Sequence, residues 1–336
     1  MNLNYLVGSE KTKGDSKWRA ALADVLEEKV APLIGRKTIQ IVLIREAQDY
    51  TILRTEETRE INTVWTAKSS EDSTPIERAA FLATKQKAAE SRELESMLRS
   101  WASGRPECYL KSQLCMKCPR CILFGATDVS KGTDKGANIK HRIAYGTAFS
   151  LEAIDPGLRE VHTFNGVSGA TQLTGQTLGE RESIRPGSPF ISVVTLRSVT
   201  EIELILTVKV LLACTRYGAE TRVGGIVRNH IVGISTGYEE IASPLELTLR
   251  LADTKADTAA VPRGRVTEIL SDFKRRSSMP DRVHVFEEAE LQALLSDIQA
   301  VEINDVFVNA AFKAAEDFQK HQATYLKKEK PGKGGK

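Results

Sequence analysis

Four of the five cysteines, Cys108, Cys115, Cys118 and Cys121, stand at C-x6-C-x2-C-x2-C spacing. Each C-x2-C step lets one tight turn aim two sulfurs at a point. Cys108 is near enough to complete a tetrahedral thiolate set, the donor set of zinc. Four thiolates leave no open coordination position for a substrate or an activated water, so such a centre is a structural staple for an insertion. An iron–sulfur cluster and a pair of disulfides are the competing readings. Nothing in the sequence points to the oxidising compartment that disulfides need. His141 is an alternative ligand in place of Cys108.

A second kind of chemistry comes from cations set among glycines. Residues 129–142 carry Lys131, Lys135, Lys140, His141 and Arg142 in a glycine-rich stretch. Residues 217–237 place Arg222 and Arg228 beside Gly218, Gly224 and Gly225. Glycines let backbone amides approach an anion closely, and the cations suit phosphate, although a solvated loop has the same composition. The second stretch is no Walker loop, because no Gly-Lys-Ser/Thr follows, and no dinucleotide fingerprint, because it follows a helix. Arg45 and Arg54 are further candidates if residues 38–45 and 50–55 form neighbouring strands; a solvated strand end is the other reading. Asp49, Asp128 and Asp134 are conceivable acids for a nuclease, but no paired carboxylate or His–acid constellation stands out.

These residues must be positioned by a fold of some size. The chain has 336 residues, 41% hydrophobic and 27% charged, which is two domains or one with large insertions. The formal net charge is only +3, so a nucleic-acid role must rest on local basic patches. With no signal region and no apolar run long enough for a bilayer, the expected location is cytoplasmic and no membrane partner is expected.

Along the chain, residues 16–30 place Trp18, Leu22, Val25 and Leu26 on one helical stripe. Residues 38–45 are β-branched and apolar on both faces, the pattern of a central strand. Residues 58–72 read as irregular. Thr74-Pro75-Ile76-Glu77 has capping-box spacing with Pro at the first helical position, predicting a helix from there to about Trp101. Residues 143–151 and 190–199 read as strands, and 162–185 as a projecting hairpin broken by glycines. Thr200 and Glu203 form a second capping box ahead of residues 202–216; that stretch is apolar nearly all round, and its cap and length favour a buried helix over a strand. A strand at 226–234 follows. Arg263, Arg265, Lys274, Arg275 and Arg276 mark a basic, partly helical segment, and 304–325 an amphipathic helix through Phe307, Ala311, Ala314 and Phe318.

Strand, buried helix and an Arg-Val-Gly-Gly loop together resemble the RAMP superfamily of CRISPR proteins. The cysteine knuckle, the Thr-Phe-Asn hairpin and the Arg-Pro-Gly-Ser-Pro-Phe entry to the next strand narrow the likeness. They resemble the Cas-seven backbone-subunit family of type I-D interference complexes, of the Csc-two type, over about residues 38–249. The resemblance implies an α+β fold, a modified RRM/ferredoxin-like palm with large insertions that include a zinc-stapled segment and a thumb-like β-hairpin. The boundaries implied are 1–56 for the start of the palm, 57–142 for the helical and zinc-knuckle insertion, 143–161 for a palm strand and 162–185 for the hairpin. Residues 186–250 return to the palm, 251–326 form a helical C-terminal part, and 327–336 a disordered tail.

The function implied is a non-enzymatic one. Copies polymerise head to tail along a guide RNA (crRNA) and present it for pairing with target DNA, or target RNA, alongside other subunits of the complex. Such a subunit must hold phosphates and riboses whatever the guide sequence. The chain also lacks the aromatic signature with which ordinary RRM sheets stack bases. Carried over, Gly218, Arg222, Gly224, Gly225 and Arg228 contact the guide backbone, and Phe164 on the hairpin wedges between nucleotides. Lys131, Lys135, Lys140 and Arg142 line the groove. A RAMP-type ribonuclease is the alternative activity. A zinc-ribbon regulator would need a recognition helix or dimer repeat, and neither is visible.

Overall fold

A computed structural model describes residues 5–6, 17–55, 60–101, 107–109, 114–127, 138–253 and 263–329. Its elements in chain order are α1 (Lys17–Val25), β1 (Thr38–Ala47), β2 (Thr63–Ala67), β3 (Pro75–Phe81), α2 (Ala83–Trp101), α3 (Pro119–Phe124), β4 (Ile143–Tyr145) and β5 (Ala148–Ser150). There follow β6 (Arg159–Val167), β7 (Thr174–Ile184), β8 (Pro189–Arg197), α4 (Glu201–Ala213), β9 (Val227–Gly237), α5 (Pro244–Ala252), α6 (Arg263–Arg276), β10 (His284–Val285), α7 (Glu288–Ala300) and α8 (Asp305–Glu329). The main sheet runs β10-β9-β1-β8-β5-β3-β2, with β4 also on β8, and β6 and β7 form a separate two-stranded ribbon.

The unbroken apolar run of β1 requires cover on both faces, and the sheet provides it. β1 pairs antiparallel with β8 on one side and β9 on the other. Ile39, Ile41 and Leu43 pack with Val194, Leu196, Ile231 and Ile234 against α1, α2, α3, α4, α7 and α8. The alternate residues Val42, Ile44, Ile191, Val193 and Val232 pack under Leu247 and Leu251 of α5 and Val266, Ile269 and Leu270 of α6. Helices therefore lie on both faces, including the face left bare when a sheet stacks bases.

Local signals and tertiary outcome agree at α4. Its capping box forms, with Glu203 Oε2 accepting from the Thr200 backbone N–H at 2.9 Å, and the helix is buried nearly all round. They part at Thr74. The expected helix start is strand β3, paired with β2 and β5, and the helix begins only at Ala83. The reason is Arg78, which is fully buried. Its guanidinium donates to the carbonyls of Ser150, Leu151 and Lys68 and to Thr66 Oγ1, ties that no local pattern reveals.

Three further expectations are revised. Residues 63–67, expected to be irregular, form β2. The expected strand at 143–151 is two short strands, β4 and β5, interrupted at Gly146, where a side chain would run into Pro244. Residues 50–55 are not a strand. They make single bridges, Thr51 to Ile184 and Ile52 to Ala219, so Arg45 and Arg54 do not stand on neighbouring strands. Among the described residues, no helix is long and apolar enough to cross a membrane.

Candidate nucleic-acid interface and cysteine centre

The cysteines meet. Their four Sγ atoms lie within 4.8 Å of one another, and Cys108 Sγ is 3.5 Å from Cys121 Sγ. A tetrahedral zinc site with Zn–S of about 2.3 Å has sulfurs about 3.8 Å apart, so the group can hold a metal ion. The chain makes it locally. Met116 takes a positive φ of 60°, the Lys117 N–H points at Cys115 Sγ at 3.4 Å, and Pro119 starts α3 directly after Cys118, which puts Cys121 in its first turn. Four thiols this close cannot deprotonate independently, and a divalent cation answers that repulsion.

The knuckle is not a detached insertion. Cys108, Cys118 and Cys121 belong to the main core, and Gln319 of α8 donates to the Met116 carbonyl. His141 is not in the cysteine group. It is exposed, just before β4.

The glycine loop sits at the end of the central strands, where β1 finishes and β8 and β9 begin. Gly218 and Gly225 take φ of +86° and +73°. A β-carbon there would run into the carbonyl oxygens of Ile52 and Tyr217, and one at Gly224 would lie 2.8 Å from Tyr50 O. These glycines thus let the loop lie against residues 50–52, with Gly225 N–H donating to Tyr50 O at 2.9 Å and Ala219 N–H to Ile52 O at 2.9 Å. They dock the loop on residues 50–52, a requirement separate from the phosphate approach expected of them.

The hairpin roots in the same place. Thr51 and Ile184 exchange backbone hydrogen bonds of 3.1 and 2.8 Å, and the rings of Tyr50 and His162 meet edge to face at 4.7 Å. Tyr50's hydroxyl is hydrogen-bonded to Glu160, which raises its pKa. Glu220 bridges loop and hairpin, 2.5 Å from Arg181 Nη1 and 3.5 Å from Arg54 Nη2. Arg54 is therefore half-buried in this junction. Arg185, Arg222 and Arg228 surround it as exposed cations, and no ion pair holds them among the described residues.

Two expected ligands are not available. Arg45 is fully buried, its Nη1 2.6 Å from Glu90 Oε1 and 3.0 Å from Asn229 Oδ1. Burial alone would lower its pKa, but the Glu90 carboxylate outweighs that and raises it. Arg142 is 2% exposed and ion-paired with Glu203, the capping-box acid of α4. Both are core ion pairs, and neither can reach a phosphate. Lys140 is exposed but lies at the opposite end of the central strands, beside Arg142 and β4. Lys131 and Lys135 lie outside the described residues. Phe164 has its backbone in β6, where pairing steps from Thr163–Glu180 to Asn165–Gln176, a bulge in β7; its side chain lies outside the described parts.

Sequence reasoning missed Tyr50, Glu160, His162, Arg181, Arg185 and Glu220. Only Arg185 carried a signal, as the first residue of the Arg-Pro-Gly-Ser-Pro-Phe stretch; the others become neighbours through tertiary contact.

A sequence model described as Csc2 Crispr matches residues 25–312. No curated protein matches the chain. Among solved structures, the crystal structure of Thermofilum pendens Csc2 superposes with a TM-score of 0.62 at 20% identity, covering 92% of this chain and 96% of that one. At that identity the likeness is one of fold. Chains of a CRISPR RNA-guided surveillance complex in a pre-nicking state (TM-score 0.47, 10% identity, 71% and 88% covered) and of another such complex (0.47, 13%, 82% and 99%) overlap too loosely to bear on the fold. The family model spans most of the sequence, and the chain belongs to the Csc2 CRISPR family.

Proposed function

We propose that the chain is the guide-RNA-binding backbone subunit of a type I-D CRISPR interference complex, laid head to tail along the guide. The observation that carries this reading is the junction of three segments at one end of the central strands. The glycine loop, residues 50–54 and the hairpin root meet there, ringed by Arg185, Arg222 and Arg228. Exposed guanidiniums on a docked backbone suit phosphates of any sequence, which a guide-holding subunit requires.

The strand order supports an RRM-like palm. Reading β1-α2-β5-β8-α4-β9 as the core gives βαββαβ with order β9-β1-β8-β5, the split βαβ arrangement. With both faces of the palm covered, the loops at its end are left to bind RNA. The cysteine centre fits structural zinc, held by Cys108, Cys115, Cys118 and Cys121, which would lock α3 against α8. The role is one of holding and presenting, with no catalytic group supplied by the chain. Asp49 is engaged locally, its carboxylate accepting from the Tyr50 N–H at 2.7 Å, while Asp128 and Asp134 lie outside the described residues.

Native mass spectrometry over a series of RNA lengths tests the reading. The number of bound chains should rise in integer steps with length. One chain per RNA at every length would leave a plain single-strand binder.

A further inference from the structure

A second cationic surface lies at the other end of the central strands. The ends of β8 are about 26 Å apart at about 3.3 Å per residue, well beyond a Debye length of about 8 Å, so the two ends act as separate electrostatic sites. Pro189 of β8 adjoins the glycine-loop junction, while Arg197 closes the far end.

At that far end the Arg197 N–H donates to the Arg142 carbonyl at 2.9 Å, setting Arg197 beside the exposed Lys140 and His141. Helix α2 packs against β4, and its half-buried Lys87 is near enough to act on His141. The cysteine knuckle frames this strip. Ala126 and Ile139 exchange backbone hydrogen bonds of 3.1 and 2.8 Å, and the Arg142 N–H donates to Leu123 O of α3 at 2.9 Å. Burial, and then Lys87, Lys140 and Arg197, all push the His141 pKa down, with no acid among the causes. Lys87 is likewise lowered by burial and then by Arg120. Glu240 is paired with Arg197, and no ion pair holds Lys87 or Lys140 among the described residues. A half-buried lysine kept among other cations has no structural counter-charge, and an outside anion would supply one.

We infer that Lys87 and Lys140, flanked by His141 and Arg197, form a second polyanion site, which takes the phosphodiester backbone of a nucleic-acid strand other than the one held at the glycine-loop junction. The choice of nucleic acid rests on the guide-binding reading. The existence of an anion site does not.

The test uses the full chain first saturated with one RNA, then titrated with a labelled single-stranded DNA of unrelated sequence. Wild-type protein should bind the second strand in a salt-dependent way. K87Q/K140Q should weaken that binding by about tenfold at low salt and flatten the salt slope by about 1.4, two contacts at about 0.7 each. It should leave affinity for the first RNA unchanged, and thermal denaturation should confirm that the variant is folded. Failure of the wild type to bind a second strand, or equal binding by K87Q/K140Q, overturns the proposal. So does a patch-dependent response to polyglutamate without one to DNA, which would assign the surface to an acidic protein. Loss of first-strand binding in R222A/R228A is scored separately, so the guide-binding reading stands or falls by itself.

Discussion

Arg45 Nη1 lies 2.6 Å from Glu90 Oε1, and neither side chain is exposed. The pair ties the last part of β1 to α2, and two neighbours close the network. The Tyr217 hydroxyl donates to Glu90 Oε1 at 2.8 Å, while Asn229 Nδ2 donates to the same hydroxyl at 2.8 Å and to Leu211 O of α4 at 2.6 Å. Because Tyr217 immediately precedes Gly218, this buried network anchors the glycine loop from beneath.

Breaking that pair should be costly. Glu90→Ala leaves an uncompensated buried guanidinium and should lower stability by about 3–5 kcal/mol. The double change Arg45→Met with Glu90→Leu should recover most of that loss in chemical denaturation. RNA affinity of the double variant should keep the wild-type salt slope, because Arg45 touches no phosphate. A flattened slope would return Arg45 to the interface.

The exposed arginines should behave in the opposite way. Arg222→Ala and Arg228→Ala should each leave stability nearly unchanged and reduce the salt slope of single-strand binding by about 0.7. The loss should be equal for unrelated sequences. Fluorescence anisotropy with two RNAs of different composition at several salt concentrations measures both, and altered preference between them would indicate base readout.

Glycine substitutions separate loop docking from simple exposure. Gly218→Ala forces a β-carbon against the Ile52 carbonyl at positive φ and should destabilise by more than about 1 kcal/mol, with a parallel loss of RNA affinity. Gly169→Ala, in the hairpin turn with nothing within 4 Å, should be neutral. Thermal melts and binding curves on the same samples compare the two.

Metal analysis should find about one zinc per chain, lost in Cys118→Ser. Because three of the four cysteines sit in the main core, the loss should also lower the melting temperature of the whole chain. A zinc content unchanged in Cys118→Ser would remove it from the ligand set.

The isolated chain is expected to leave single-stranded RNA and DNA intact with any divalent metal. Denaturing gels after prolonged incubation check this, and cleavage abolished by Asp49→Asn would bring back the ribonuclease reading.

Some of this protein was determined by sequence alone, wherever the signal was local. The apolar run of β1 called for a central strand, Thr200 and Glu203 boxed a stretch apolar enough to be a buried helix, and the two C-x2-C steps set Cys115, Cys118 and Cys121 in one short turn-and-helix segment. Tertiary structure decided what depended on partners far along the chain. Thr74 and Glu77 match a helix start, yet the buried Arg78 holds that segment as a strand through carbonyls some seventy residues away. Arg45, Arg142, Arg222 and Arg228 are alike as arginines in a sequence. Only Glu90, 45 positions away, and Glu203, 61 positions away, make the first two structural and leave the others for solvent and ligand. Burial and ion pairing are properties of the assembled core, and sequence neighbours do not encode them.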